Sequence, residues 1–248
     1  MTITIGFPHF PKDGEPALLF ASDSQLTLSG TAKRCDSRKI FGVPFKDGTN
    51  AIIGISGHEV PTLRFLDEFT ALAANAFIDS EYGPANLAGD CMKKVRRLLE
   101  KDNALDPMQI RQDFPAEIVL GYIFNQRATV FKLGINDTTA IRASRKFEAV
   151  GCAQDLAGFM LTEVDFNQLN LDAAAGLAFI VIELCKFHDS QCGGPVQWGA
   201  IADDGKQFIY NPRGILCPEK GEAGRKLLER DHKYYMRRLF ESLPHLKK

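Results

Sequence analysis

A chain of 248 residues has room for one large domain or two small ones, and its 45% hydrophobic and 25% charged residues are the proportions of an ordinary globular protein. A formal net charge of −1 gives no general electrostatic reason to expect nucleic acid or an anionic membrane as partner. No apolar segment approaches the roughly 20 residues that span a bilayer, so no membrane association is expected.

The amino-terminal stretch MTITIGFPHF lacks the basic start and apolar run of a signal peptide. Its Thr2–Phe7 portion is rich in β-formers, and Pro8, Pro11 and Gly14 then mark a loop. Ala17–Ala21 is a short apolar run with the signature of a buried strand, ended by the polar Ser22-Asp23-Ser24. A polar connection over Thr27–Arg38 leads to Lys39, sixteen residues after Asp23, and to the apolar Ile40-Phe41-Gly42-Val43. An acid leaving one core strand and a lysine entering another can meet in a cleft, where a part-buried lysine needs a counter-charge. A plain structural salt bridge fits the same spacing.

Ala51–Ile55 reads as a further buried strand, and Gly54-Ile55-Ser56-Gly57 leads into a helix with Leu63, Leu66, Phe69, Ala73 and Phe77 at helical spacing. A second helix follows Pro84, with Leu87, Cys91, Val95 and Leu98 on one face; its basic run Lys93–Lys101 reads as a solvated face. Strands are expected at Ala116–Phe124 and Ala128–Leu133 around an Asn125-Gln126 turn, then at Thr138–Arg142 and Phe147–Val150. Gly151-Cys152 opens a helix through Leu156, Phe159 and Met160. Leu171–Phe187 is a long apolar helix with Asn170 as its cap, broken by His188–Gly194. Val196–Ala202 and Gln207–Tyr210 close the strands, and an amphipathic helix is expected over Glu219–Lys248. No repeat, low-complexity tract or linker interrupts the pattern, so one domain over residues 1–248 is expected. The six cysteines are too sparse for a disulfide scaffold and form no CxxC, and are expected to be reduced thiols in the cytoplasm. Helix pairs between strand groups fit an α+β layered fold.

The segment Ala21-Ser22-Asp23-Ser24-Gln25-Leu26-Thr27, with Lys39-Ile40-Phe41 following, resembles the proteasome β-subunit family in residue type and in spacing. There a strand ends in Ala-Asp-Ser-(Arg/Gln)-x-Thr and a lysine precedes an apolar pair. The loop at Gly54, the Gly151-Cys152 pair and Asp189-Ser190-Gln191-Cys192-Gly193-Gly194 resemble further motifs of that family in the same order. The resemblance implies a four-layer αββα sandwich of the N-terminal nucleophile hydrolase type, and a nucleophilic threonine at the mature amino terminus, here Thr2 once Met1 is removed.

The implied chemistry rests on ordinary residue properties. An α-amine titrates at about 7.7–8.0, so a modest downward shift makes it a base for the hydroxyl of its own residue. By the resemblance, Lys39 tunes that amine, Asp23 holds Lys39 charged, and the Gly54 N–H donates to the oxyanion, a contact worth roughly 3–4 kcal/mol. Asp189, Cys192 and Cys152 stand around the amine, the cysteines at positions where the family usually has serines. Thiols are weaker donors than hydroxyls. The leading expectation is a threonine-type endopeptidase acting on peptide or unfolded protein, without cofactor or metal. It forms a homo-oligomeric ring to which an unfolding ATPase can dock. A silent structural subunit and an amidase of small molecules are the alternatives. His58 and His188 have no Gly-x-Ser-x-Gly or acid partner to support a Ser/His reading.

Overall fold

The computed structural model describes residues 2–9, 16–28, 32–34, 37–103, 106–143, 146–162, 164, 169, 171–202 and 205–211. The helix expected over Glu219–Lys248 and the cap expected at Asn170 lie outside the described residues.

Two five-stranded antiparallel sheets carry the fold. The first has the order β10-β1-β2-β11-β12, built from β1 (Ile3–His9), β2 (Ala17–Ser22), β10 (Glu148–Gly151), β11 (Gln197–Ala202) and β12 (Gln207–Asn211). The second has the order β5-β6-β7-β8-β9, from β5 (Ile40–Pro44), β6 (Asn50–Gly57), β7 (Ala116–Phe124), β8 (Arg127–Gly134) and β9 (Ile141–Arg142). Strand alternation sorts the side chains into layers. Ile3, Ile5 and Phe7 of β1 pack on one side with Leu19 and Ala21 of β2 and with α4 (Gln154–Thr162) and α5 (Leu171–His188). Ala51, Ile53 and Ile55 of β6 pack with α1 (Glu59–Ala73) and α2 (Gly83–Asn103) on the other. Between the sheets lie Leu18, Phe20, Ile40, Ile52, Val119 and Val130. The result is the α+β, four-layer αββα arrangement that the resemblance implied.

The sheets approach most closely around Phe20. A Cβ added at Gly6 or Gly121 would come within 3.0 Å of its ring, and one at Gly54 within 3.2 Å. Three glycines on three strands thus form the hollow that this ring fills.

The tight turn at Asn125-Gln126 is present, with positive φ at both residues (48° and 58°), the twist that two-residue hairpins need. Elsewhere the expected elements shift. The polar Thr27–Arg38 connection contains a two-stranded hairpin, β3 (Leu26–Leu28) with β4 (Ala32–Arg34). A short helix, α3 (Pro107–Asp113), is started by an Asp106–Gln109 capping box. Thr138–Arg142 supplies only the two residues of β9. Helix α1 ends at Ala73 and buries Pro61, Thr62, Phe65, Phe69 and Ala73, whereas Leu63 and Phe77 are exposed. The stripe expected from Leu63 to Phe77 therefore runs past the helix at one end and off its buried face at the other.

Candidate active site

Thr2 precedes β1 and is 1% exposed. Its hydroxyl donates to Asp23 Oδ1, and the same carboxylate oxygen accepts the Ile3 N–H at 3.0 Å. Asp23 Oδ2 accepts the Gly193 N–H at 2.8 Å. Asp23 follows β2, which pairs antiparallel with β1 through Thr4↔Ser22; that register places the acid beside the start of β1. Burial raises the Asp23 carboxyl above its ordinary value, against the Thr2, Gly193 and Ile3 hydrogen bonds and the charge of Lys39, all of which lower it.

Lys39 is 5% exposed. Burial lowers its ammonium below the ordinary value, opposed by the negative charges of Asp23 and Glu59. The expected Asp23–Lys39 pair is electrostatic but not a direct ion pair. Among the described residues no salt bridge joins them, because the Asp23 oxygens are taken by the Thr2 hydroxyl and two main-chain N–H groups. Asp23 therefore holds Thr2 directly and Lys39 only through space.

The carbonyl of Thr2 is held as firmly as its hydroxyl. It accepts the Cys152 N–H at 3.0 Å and the Ser56 hydroxyl at 3.0 Å. Gly151, just before Cys152, has φ +96°, and a Cβ there would stand 1.8 Å from the Thr2 carbonyl oxygen. This position admits only glycine on both counts.

Gly54 departs from its expected place. The Ile55 N–H donates to Lys39 O at 3.0 Å on the β5 side, so by alternation the Gly54 N–H points the other way, toward Val119 on β7. A Cβ on Gly54 would meet Thr4 Cγ2 at 2.4 Å. Gly54 is a close-packing position under Thr4, and Ser56 is the β6 residue that reaches Thr2.

Cys152 and Cys192 are near Thr2, as the resemblance implied, but not as two thiols. They form a disulfide, which corrects the expectation of reduced cysteines. The fold brings the turns after β10 and after α5 to the same end of β1, so residues 40 apart in sequence meet. Asp189 sits on that second turn, its Oδ1 accepting the Gln191 N–H at 2.8 Å and its carbonyl the Cys192 N–H at 3.0 Å. Cys91 and Cys185 are free and buried, their thiols pushed by burial up to about 11 and about 12.

Two further residues complete the frame: Gln197, which no motif announces, and Gln25, which stands at the Arg/Gln position of the motif after β2. Gln197 on β11 accepts the Lys39 N–H on Oε1 at 2.9 Å and donates Nε2 to the Asp23 carbonyl at 3.2 Å and to the Ser37 carbonyl at 2.8 Å. Gln25 donates to the Gln191 carbonyl at 3.0 Å, tying the turn after β2 to the Asp189–Gly194 turn.

No protein-family model matches this sequence, and no curated protein does so either. Solved structures do match, over essentially the whole chain. A Gly-1 mutant of Anbu from Hyphomicrobium sp. strain MC1 superposes with a TM-score of 0.72 at 15% identity, covering 100% of this chain and 99% of that one. The fold is that of the Anbu proteins. Anbu from Yersinia bercovieri, described as an ancestral β-subunit, gives 0.70 at 15% identity over 97% and 96% of the two chains. Anbu from Pseudomonas aeruginosa, described as a helical assembly, gives 0.70 at 15% identity over 98% and 97%. The likeness to the proteasome β-subunit family seen in the Asp23 and Lys39 segments thus holds at the level of the fold. In the Anbu fold of this chain, Thr2 and Asp23 are bonded, Lys39 is buried nearby, and Cys152, Asp189 and Cys192 stand together. None of the described helices is long and apolar enough to cross a membrane.

Proposed function

We propose that this chain is a threonine-type peptidase subunit whose nucleophile is Thr2, freed by removal of Met1. One observation carries the reading: the Thr2 hydroxyl donates to a buried carboxylate, Asp23, at the start of β1 in a fold of the N-terminal nucleophile hydrolase type.

The steps follow from the groups present. The free α-amine of Thr2 takes the hydroxyl proton as the oxygen bonds to the carbonyl carbon of a peptide. Asp23 orients that hydroxyl, and the positive charge of Lys39 favours the negative charge that develops on the substrate oxygen. The amine then gives its proton to the leaving nitrogen, the C–N bond breaks, and an ester to Thr2 remains. Water, activated by the same amine, hydrolyses the ester and restores the hydroxyl. Ser56 and Cys152 fix the Thr2 carbonyl so that amine and hydroxyl stay on the substrate side. Peptide or unfolded protein is the substrate of this reading.

Assembly belongs to the same proposal. Val60 and Leu63 on α1 are each 40% exposed, and Phe159 on α4 and Phe187 on α5 are 81% and 85% exposed. Large apolar side chains on both outer helix layers suit contacts between copies, and light scattering showing only monomer would count against a compartmentalised enzyme.

A second reading has its own observation. Thr2 is almost fully buried, as a silent structural subunit would have it. The deciding experiment is covalent labelling of purified chain with a peptide β-lactone, read by intact mass. One adduct on Thr2, lost in Thr2→Ala and retained in Thr2→Ser, supports the peptidase. Absence of any adduct on chain shown by mass to begin at Thr2 supports the silent subunit.

A further inference from the structure

We propose that Cys152, Cys192 and Asp189 form a thiol-gated site for one soft divalent cation of the zinc class, closed as a disulfide in the oxidised chain and opened to the ion by reduction. The proposal stands on the placement of these three side chains and does not depend on Thr2 being a working nucleophile.

The two sulfurs and a carboxylate oxygen of Asp189 all lie within 4.8 Å of one another. A zinc ion bound at about 2.3 Å by two thiolates in tetrahedral geometry sets the sulfurs about 3.8 Å apart. Reduction brings the pair to that spacing. A dithiol supplies two electrons and two protons, the Cys152–Cys192 bond breaks to two thiols, and the dithiol leaves as its own disulfide. The freed sulfurs then rest at non-bonded contact, roughly 3.5–4 Å. The Cα atoms stand 6.9 Å apart, just beyond the usual disulfide spacing, so the turns need not open further.

Asp189 is prepared as the third ligand. Its N–H donates to the Cys185 carbonyl at 2.9 Å, and its Oδ1 accepts the Gln191 N–H at 2.8 Å. Such an outer bond orients a ligating carboxylate, and a carboxylate has two oxygens, so taking an ion does not displace it. Binding exchanges the two thiol protons, released to solvent, for the cation. Two thiolates with one carboxylate select zinc over magnesium or calcium, which take oxygen alone. Three protein ligands leave a fourth position for water.

The site is linked to the Thr2 frame by main-chain bonds. Cys152 donates its N–H to the Thr2 carbonyl, and Gly193, next to Cys192, donates to Asp23. Disulfide and metal would each bridge these turns, while the reduced, metal-free chain would bridge them by neither.

The test uses the full chain, reduced with dithiothreitol, desalted without air and dialysed against zinc or cobalt(II) alone. The expected result is one zinc per reduced chain, a thiolate-to-cobalt charge-transfer band, and no uptake by the disulfide form. Cys192→Ser, Cys152→Ser and Asp189→Asn should each weaken binding at least about tenfold. Asp189→Asn keeps both cysteines, and cooperative melting of each variant shows that it is folded. The proposal is overturned if the reduced wild type takes up no ion, if the oxidised chain binds equally, or if any folded variant keeps wild-type affinity.

Discussion

The Ser56 hydroxyl donates to the carbonyl oxygen of Thr2 at 3.0 Å, one strand of each sheet meeting across the sandwich. Ser56 is 2% exposed, so this bond forms away from water. Among the described residues, its removal in Ser56→Ala leaves the Cys152 N–H as the donor on the Thr2 carbonyl. A buried hydrogen bond of this kind is worth about 1–2 kcal/mol, which for a domain of this size lowers the melting temperature by roughly 2–8 °C. If Thr2 acts as proposed, turnover should fall further than stability does, because the nucleophile loses one of its two carbonyl anchors. A melting curve identical to wild type would show that the hydroxyl is not holding Thr2.

Gly151 makes the sharper prediction. Its φ of +96° is strained for any side chain, and an added Cβ would meet both the Thr2 carbonyl oxygen at 1.8 Å and Ser56 Oγ at 2.3 Å. Backbone strain alone costs about 1–3 kcal/mol, and overpacking adds a similar amount. Gly151→Ala should therefore destabilise by more than about 3 kcal/mol, measured by chemical denaturation. Pairing it with Ser56→Ala relieves only one of the two clashes, so the double variant should recover a minority of the loss.

What the sequence revealed of this site tracks how local each feature is. Asp23 and Lys39 stand in short segments with a characteristic order of acid, serine, threonine and lysine, and the structure buries both, with Asp23 hydrogen-bonded to Thr2. Alternation and turn chemistry were enough for most strands, as at Asn125-Gln126. The β3–β4 hairpin was hidden because Thr27–Arg38 shows no one-sided apolar alternation to mark it. Gln197 and Ser56 were silent because a polar residue inside a strand carries no motif, and its meaning depends on which strands become neighbours. The resemblance set Cys152 and Cys192 both around the amine, yet their bond was missed because six sparse cysteines without a CxxC read as reduced thiols. Forty residues separate the two in sequence, and only the docking of two turns against β1 makes them adjacent. Gly54 lies under Thr4, two residues short of Ser56, the β6 residue that reaches Thr2, and a motif does not set how far along its strand each residue falls.

Gln197 carries a testable structural role. It satisfies the Lys39 N–H and the carbonyls of Asp23 and Ser37, and it accepts the Tyr210 hydroxyl at 2.9 Å. Gln197→Ala strands several buried polar groups at about 1–3 kcal/mol each, so a loss of roughly 3 kcal/mol or more is expected in denaturant unfolding. Gln197→Glu keeps the acceptor for Lys39 and Tyr210 but turns a donor into a second acceptor, facing the Asp23 and Ser37 carbonyls. It should be as damaging as Ala at neutral pH and milder in acid, where the protonated carboxyl donates again. Equal stability of the Glu and Gln forms at neutral pH would refute this assignment.

The buried acid and lysine predict a stability profile with two limbs of opposite sign. Burial raises the Asp23 carboxyl above 3.8, so the folded chain holds that proton more tightly than the unfolded one. Its contribution is complete below 3.8 and is lost as pH rises from there through the raised folded value. Burial lowers Lys39 below 10.5, so the unfolded chain holds that proton more tightly. Stability is therefore regained as pH climbs from the lowered Lys39 value toward 10.5, once the folded ammonium can shed its proton. Melting temperatures across this range should show wild type falling relative to Asp23→Asn on the acid side. Relative to Lys39→Met, wild type should rise on the alkaline side. The Asn variant also sets an amide donor against the Gly193 N–H, which lowers its whole curve but not its slope, so the slopes are the reading to compare. Parallel acid limbs for wild type and Asp23→Asn would mean that Asp23 titrates in the fold as it does in water, and the account of a carboxylate held by Thr2 against its own burial would fail.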